Sequence, residues 1–140
     1  MTDTTNGATG RNGWNIGLWV AQALLALMYG FAGFNKLTQS MEALGAMGMS
    51  YALDYPEMLT RFIGTVEVLG AIGLILPALT RILPRLTPLA AVGFSVIQVL
   101  AMGVHISRAE FSVLPMNLVL LALSLFIVWG RTKKAPISPR

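Results

Sequence analysis

Four long apolar runs, separated by short polar stretches, dominate the chain. They cover about residues 14–34, 57–77, 88–106 and 113–129, so each holds between 17 and 21 residues. A helix rises about 1.5 Å per residue, so runs of this length match the roughly 30 Å hydrocarbon core of a bilayer. The pattern predicts an all-α fold, a polytopic membrane four-helix bundle spanning residues 14–130.

The stretches outside the runs differ in kind. Residues 1–13 are rich in Gly, Thr and Asn, and we expect a disordered polar tail there, with the first run retained as a membrane helix. Residues 36–54 mix Met, Leu and Tyr at helical spacing with polar residues. They predict a short interfacial helix capped by Ser40, or an amphipathic loop. Residues 131–140 form a basic tail.

Proline residues mark several expected helix ends. Pro77 closes the second run, because proline lacks the N–H that continues a helix. Thr87 followed by Pro88 predicts an N-cap and the first position of the third helix. The spans therefore have defined ends and short connections.

Composition supports the membrane assignment and removes several function classes. Hydrophobic residues make up 55% of the chain and charged residues 11%, against about 25% charged in a soluble domain. The chain has no cysteine and one histidine, His105, which excludes thiolate chemistry and a two-histidine haem site within one chain. The net charge of +4 sits at helix ends and in the tail, so we reject nucleic acid as a partner.

Basic residues also predict the orientation. Four spans place both termini on one side, and the basic residues divide seven to three in favour of that side. Such a bias marks the cytoplasmic side of a membrane protein. We therefore expect a multi-pass protein of the cytoplasmic (inner) membrane with both termini in the cytoplasm. The majority side carries Arg11, Arg81, Arg85, Arg131, Lys133, Lys134 and Arg140, and the other Lys36, Arg61 and Arg108.

Glu67, in the middle of the second run, is the most unusual residue of the chain. It shares a helical stripe with Gly64 and Gly70, so it should face another helix and not lipid. A carboxylate in that setting is costly and needs a partner or a task. One interpretation is a structural ion pair with Lys36, and the other is a proton donor, proton acceptor or ligand anchor.

Antiparallel threading brings further polar residues to the same half of the bundle. His105 could exchange protons or bind a loop, while Gln98 and Asn117 could join helices or contact a ligand. A metal site of Glu67, His105 and Glu110 has no diagnostic spacing, so we predict no metal. The candidate site residues are Glu67 and His105 as catalytic groups, with Lys36, Asn35, Gln98, Asn117 and Arg108 as ligand-binding groups.

Several ordered motifs resemble the DoxX-like family of small four-helix membrane proteins. They are GFAGFNKL at the end of the first run, GTVEVLGAIGLILP in the second, the His105 end of the third, and NLVLLALSLFIVWGR in the fourth. The resemblance implies the membrane subunit of a thiosulfate:quinone oxidoreductase, with a partner subunit for electron transfer. The matching motif positions are Lys36, Glu67, His105 and Asn117.

Two functional hypotheses follow, together with a lipid bilayer as the surrounding medium. In the first, the protein is a quinone-linked redox component in which Glu67 and His105 exchange protons and Lys36 tunes Glu67. In the second, it is a non-catalytic membrane scaffold or assembly factor for partner proteins. The ligand, any borrowed cofactor, the partner subunit and a homodimer all stay open.

The orientation gives the first testable prediction. A tag on the C-terminus should be inaccessible from outside intact cells and become accessible after the membrane is opened, because the basic majority should hold that side in the cytoplasm. A tag placed between the first two spans is the control and should react from outside. An externally accessible C-terminus would overturn the predicted orientation.

Overall fold

A computed structural model describes the backbone of residues 4–140 and the side chains of residues 12–140. Helix is the dominant element of this part of the chain. A 3₁₀ turn at Phe111–Val113 precedes the last helix, and a π-helical turn at Gly130–Lys134 extends it. The α-helices are α1 Thr4–Thr38, α2 Met41–Ala46, α3 Tyr51–Asp54, α4 Glu57–Thr80, α5 Leu86–Ser107 and α6 Leu114–Trp129.

The predicted all-α four-helix membrane bundle is confirmed. Four segments, Asn12–Thr38, Glu57–Thr80, Leu86–Ser107 and Phe111–Lys134, are long and apolar enough to cross a membrane. Helix α1 packs on α4, α4 on α5, α5 on α6, and α6 returns to α1. We call the end with residues 39–56 and 108–113 the loop end, and the end with residues 81–85 and 130–140 the terminal end.

Helix α1 begins earlier than the apolar pattern indicates. It starts at Thr4, inside the polar stretch for which a disordered tail was expected, and residues 1–3 of that tail lie outside the described residues. Extending an existing helix needs only one new hydrogen bond per residue, whereas starting one is costly. The apolar pattern thus located the membrane-spanning part of the helix but not its first residue.

The connection between the first two spans contains two short helices. Helix α2 begins after Ser40, whose hydroxyl oxygen accepts a hydrogen bond from the Ala43 N–H at 3.1 Å. Ser40 is therefore the predicted N-cap. Helix α3 follows after Gly48, whose φ of 99° lies in the left-handed region that glycine tolerates best.

Helix α4 continues through Pro77 to Thr80, past the end that the sequence pattern predicted. Proline has no N–H to donate to the carbonyl four residues earlier, which is that of Gly73. The Thr87 hydroxyl donates to this carbonyl at 3.0 Å. Thr87 thus does not cap α5, which begins at Leu86; it satisfies a backbone group inside the bundle, where water is scarce.

The tightest helix crossing joins α1 and α4 at Gly33 and Gly64. A Cβ added to Gly64 would lie 2.9 Å from the Gly33 carbonyl oxygen and 2.7 Å from Lys36 Cβ. A Cβ added to Gly33 would meet the Gly64 carbonyl oxygen at 2.7 Å. Only glycine at both positions allows this approach, which is how small residues bring membrane helices together.

The crossing generates the second prediction. Gly64→Ala should lower the stability of the detergent-solubilised protein by about 1–3 kcal/mol, the usual cost of forcing an extra carbon into a packed interface. Thermal unfolding in mild detergent would measure the loss. Gly103→Ala is the matched control, because a Cβ there meets nothing within 4 Å. Equal stability of the two variants would contradict the proposed tight crossing.

Candidate functional site

A buried ion pair between α1 and α4 forms the centre of the site. Lys36 Nζ lies 2.6 Å from Glu67 Oε1, and the two residues are only 6% and 3% exposed. Lys36 Cβ packs at Gly64, one turn from Glu67, so the glycine crossing brings the two side chains within reach. A buried charge without its partner would be strongly unfavourable, so each residue depends on the other.

Arg61 fixes the end of helix α1 from which Lys36 extends. Its Nη1 donates to the carbonyl oxygens of Lys36 and Gln39, both at 2.7 Å, and its Nη2 lies 2.9 Å from Glu57 Oε1. The last carbonyls of a helix lack partners within the helix. Arg61 supplies these partners and so holds the backbone of Lys36 against α4.

Tyr51, on the short helix α3, covers the ion pair from the loop end. Burial raises the pKa of Tyr51, and the positive charge of the neighbouring Lys36 opposes that rise. Its ring also packs edge-on to the imidazole of His105, with 6.4 Å between the ring centroids. Tyr51 thus connects the ion pair to the end of helix α5.

Five residues of the loop end join the two connections into a hydrogen-bonded cluster, which we call the latch. Arg108 Nη1 lies 2.5 Å from Asp54 Oδ2, and Arg108 Nε lies 3.0 Å from Glu110 Oε1. The Ser50 hydroxyl donates to Glu110 Oε2 at 2.6 Å, and His105 Nδ1 lies 3.2 Å from Glu110 Oε1. The pKa of Glu110 is held below its usual value by hydrogen bonds, of which the one to the Ser50 hydroxyl has the largest effect, before those to His105 and Arg108.

Tyr29 and Gln98 form a second buried contact, deeper in the bundle than the latch. Gln98 Nε2 donates a hydrogen bond to the Tyr29 hydroxyl, and the Tyr29 ring stacks on Phe94 with centroids 3.8 Å apart. This contact crosses the bundle from α1 to α5, on the inner side of the ion pair.

Three buried polar atoms in this half have no hydrogen-bond partner within the described part of the chain. They are Glu67 Oε2, Gln98 Oε1 and Asn117 Nδ2, which come from α4, α5 and α6. Most buried polar groups in proteins are paired, so each unpaired one calls for an explanation. The set offers two acceptors and one donor, enough to bind a small group that both gives and receives hydrogen bonds.

The structure separates the predicted site residues into distinct places. Lys36 and Glu67 pair directly, whereas His105 and Arg108 belong to the latch, where both contact Glu110. Asn35 donates to the Phe31 carbonyl of its own helix at 2.9 Å and does not contact the pair. Glu67 is held by Lys36, and no three His, Asp or Glu side chains among the described residues are placed to hold a metal ion.

Sequence reasoning missed the two tyrosines. Tyr29 reads as one more apolar residue of the first run, and Tyr51 lies in a stretch whose position over the bundle depends on the latch. The available signal was periodicity, because Gln22, Leu25, Tyr29 and Lys36 recur at spacings of three, four and seven along α1. A polar or charged residue on the stripe that carries Tyr29 marks the stripe as facing protein.

The fold and this site together define an integral membrane protein, a small four-helix bundle with a buried Lys–Glu pair. The sequence model of the DoxX-like family matches residues 20–127. This chain belongs to the DoxX-like family, as the motifs of its spans had indicated. No curated protein and no solved structure matches the chain.

The ion pair generates the third prediction. Lys36→Met or Glu67→Gln alone should lower the free energy of unfolding by about 3–5 kcal/mol, because each leaves one buried group without its partner. Lys36→Met combined with Glu67→Leu should recover most of the loss, since well-packed apolar residues often replace a buried pair without cost. Unfolding in mild detergent would measure all three variants.

Glu57→Gln provides the control for removing an ion pair at the same end, because it leaves the hydrogen bonds from Arg61 to the Lys36 and Gln39 carbonyls in place. That pair is partly exposed, so its loss should cost no more than about 1 kcal/mol through the pair itself. If the Lys36 and Glu67 variants were as stable as the wild type, the ion pair would not be a buried structural contact.

Proposed function

We propose that the loop-end half of the bundle binds the polar head of a lipophilic carbonyl compound of the quinone class and exchanges protons with it. The supporting observation is that three buried polar atoms in this half, Glu67 Oε2, Gln98 Oε1 and Asn117 Nδ2, have no hydrogen-bond partner among the described residues. Ligand sites in membrane bundles commonly place a few polar groups among apolar walls. A quinone enters such a site from the bilayer.

The unpartnered donor and acceptor atoms match the oxidised and the reduced forms of a quinone. Asn117 Nδ2 can donate to a carbonyl oxygen, and Gln98 Oε1 can accept from a hydroxyl of the reduced compound. A bound quinone supplies two-electron, two-proton redox chemistry. The electrons would come from a partner redox subunit, and this chain would supply binding and protons.

Glu67 is the proposed proton-exchanging group. Its Oε1 is held by Lys36, which leaves Oε2 free to take or give a proton at a bound ligand. General acid–base catalysis requires a group within hydrogen-bond reach of the reacting atom. Lys36 would position the carboxylate and stabilise its charged form.

Tyr51 and His105 lie between the site and the loop end, and a water bridging the Tyr51 hydroxyl to the imidazole would carry protons there, because a contact between rings alone passes no proton. The Tyr51 ring contacts the imidazole, and His105 Nδ1 lies 3.2 Å from Glu110 Oε1 at the surface. An imidazole takes up and releases protons near neutral pH. With both termini in the cytoplasm, as the basic residues indicate, this route would open on the outer face of the cytoplasmic membrane.

A second candidate function is a non-catalytic scaffold or assembly factor. The specific observation in its favour is that the Lys36–Glu67 pair lies beside the closest crossing of α1 and α4. A purely structural pair would be placed there to fix the helices. In that case the outward lipid-facing surfaces, and not the interior, would bind partner proteins.

Binding of a short-chain ubiquinone to the detergent-purified protein distinguishes the two candidates. Under the first, Glu67→Gln should raise the Kd of the reduced compound, ubiquinol, by roughly tenfold or more, because the carboxylate accepts a hydrogen bond from the quinol hydroxyl and this bond to a charged group is lost. Asn117→Leu should also weaken binding, since it removes the donor. Glu42→Gln, an exposed carboxylate of the same end, is the control and should bind as the wild type.

The opposing result is equally clear. If the wild type binds no added quinone and co-purifies with none in a lipid extract, the redox proposal fails. If Glu67→Gln then lowers stability and partner recovery together, the scaffold is supported. Thermal unfolding of each variant without quinone separates lost binding from lost folding.

A further inference from the structure

The terminal end of the bundle carries positive charge that the described side chains do not neutralise. Each acidic side chain among residues 12–140 lies in the loop-end half. Glu42, Asp54 and Glu110 belong to its connections, and Glu57 and Glu67 to the adjoining half of α4. The terminal end holds the six basic residues Arg81, Arg85, Arg131, Lys133, Lys134 and Arg140.

Arg131 is the buried member of this group of basic residues, whereas the other five are exposed. It is 4% exposed, and its hydrogen-bond partners are neutral: Gln22 Oε1 at 2.7 Å from Nε, and Asn15 Oδ1 and the Ala135 carbonyl at 2.7 and 3.0 Å from Nη1. Its guanidinium also lies over the Trp19 ring, 5.6 Å from the centroid. A buried charge normally has an opposite charge beside it.

Nη2 is the guanidinium nitrogen that has no partner. It is buried and makes no hydrogen bond to the residues that the structure describes, while Nε and Nη1 are both occupied. The contacts to Gln22 and Asn15 hold the guanidinium plane in place. An arginine fixed by neutral acceptors, with donor capacity remaining, is suited to an anion such as phosphate or carboxylate.

Arg131 lines a cleft of about 680 Å³ between the α4–α5 turn, the end of α6 and the C-terminal tail. Arg85 stands at the same cleft, and Leu89, Val92 and Val128 supply an apolar wall on the lipid-facing side of α5 and α6. The tail forms the remaining wall.

Two hydrogen bonds to backbone carbonyls hold the C-terminal tail in place. Arg81 Nε donates to the Ser138 carbonyl at 2.8 Å, and the Arg140 N–H donates to the Arg81 carbonyl at 2.9 Å. The cleft is therefore built by the folded chain, with a basic part and an apolar part. Such a division matches a phospholipid, whose charged headgroup adjoins its acyl chains.

We infer that this cleft binds an anionic phospholipid, with Arg131 and Arg85 on the headgroup phosphate and an acyl chain along Leu89 and Val92. Basic pockets between membrane helices recognise anionic headgroups by this combination of charge and apolar contact. The lipid supplies the negative charge that the described side chains of the terminal end lack. It also ties the C-terminal tail and the α4–α5 turn to the membrane surface.

Titration of the detergent-solubilised protein with phosphatidylglycerol tests the inference, with native mass spectrometry counting bound lipid. Arg85→Gln should weaken binding about fivefold, the effect of one surface cation on an anionic lipid. Arg131→Lys should also weaken it, because an ammonium cannot hold Gln22, Asn15 and a phosphate together. The matched control is Lys133→Gln, an exposed cation outside the cleft.

Lys133 does not line the cleft and its charge is screened by salt, so Lys133→Gln should weaken binding less than Arg85→Gln does. Thermal unfolding without lipid checks that each variant is folded, and Arg85→Gln, at an exposed position, keeps the test sharp if Arg131→Lys is unstable. The inference is overturned if both arginine variants bind as the wild type, or if zwitterionic phosphatidylcholine binds equally well. If inorganic phosphate alone stabilised the protein against thermal unfolding as much as the lipid does, the assignment to a lipid would be overturned.

Discussion

The burial of one positive and one negative charge between two apolar helices is the constraint on which the rest of this structure depends. Lys36 and Glu67 lie 2.6 Å apart where neither could exist alone without a large desolvation cost. Keeping them together requires a close crossing of α1 and α4, which Gly33 and Gly64 provide. It also requires a cover at the loop end, which Tyr51 and the latch provide.

The two ends of the bundle handle charge in different ways. At the loop end, Asp54 and Glu110 offset Arg108, and the connections are joined by their own ion pairs. At the terminal end, the buried Arg131 has only neutral acceptors from Asn15, Gln22 and Ala135. Each Lys and Arg of the loop end thus has an acidic partner within the described chain, whereas the terminal end is completed by the membrane surface in our account.

The sequence was sufficient for the architecture because the bilayer imposes a simple rule. A run of about 20 apolar residues must be helical in lipid, where each backbone polar group needs a partner within the protein. Antiparallel threading then places Lys36 and Glu67 in one half of the bundle. Charged residues are scarce within the apolar runs, so the pairing of these two could be predicted. The ends of the helices were harder to predict from the sequence, because the effect of Pro77 depends on Thr87, a residue of the next helix.

The remaining parts of the site depend on tertiary position, which the sequence pattern does not carry. Tyr51 reaches the ion pair only because the latch holds α3 over the bundle. Arg131 resembles an ordinary basic residue at the end of a span, and its burial follows from the fold of the tail around it. Asn35, although adjacent to Lys36 in the chain, turns to its own helix.

Solid-state NMR of the protein in lipid bilayers tests the central claim most directly. The chain has three lysines and four glutamates, and Lys133 and Lys134 lie at the opposite end from all four glutamates. With ¹⁵N at lysine Nζ and ¹³C at glutamate Cδ, the account predicts one strong dipolar coupling, which disappears in Lys36→Met. The absence of that coupling in the wild type would contradict the buried Lys36–Glu67 pair.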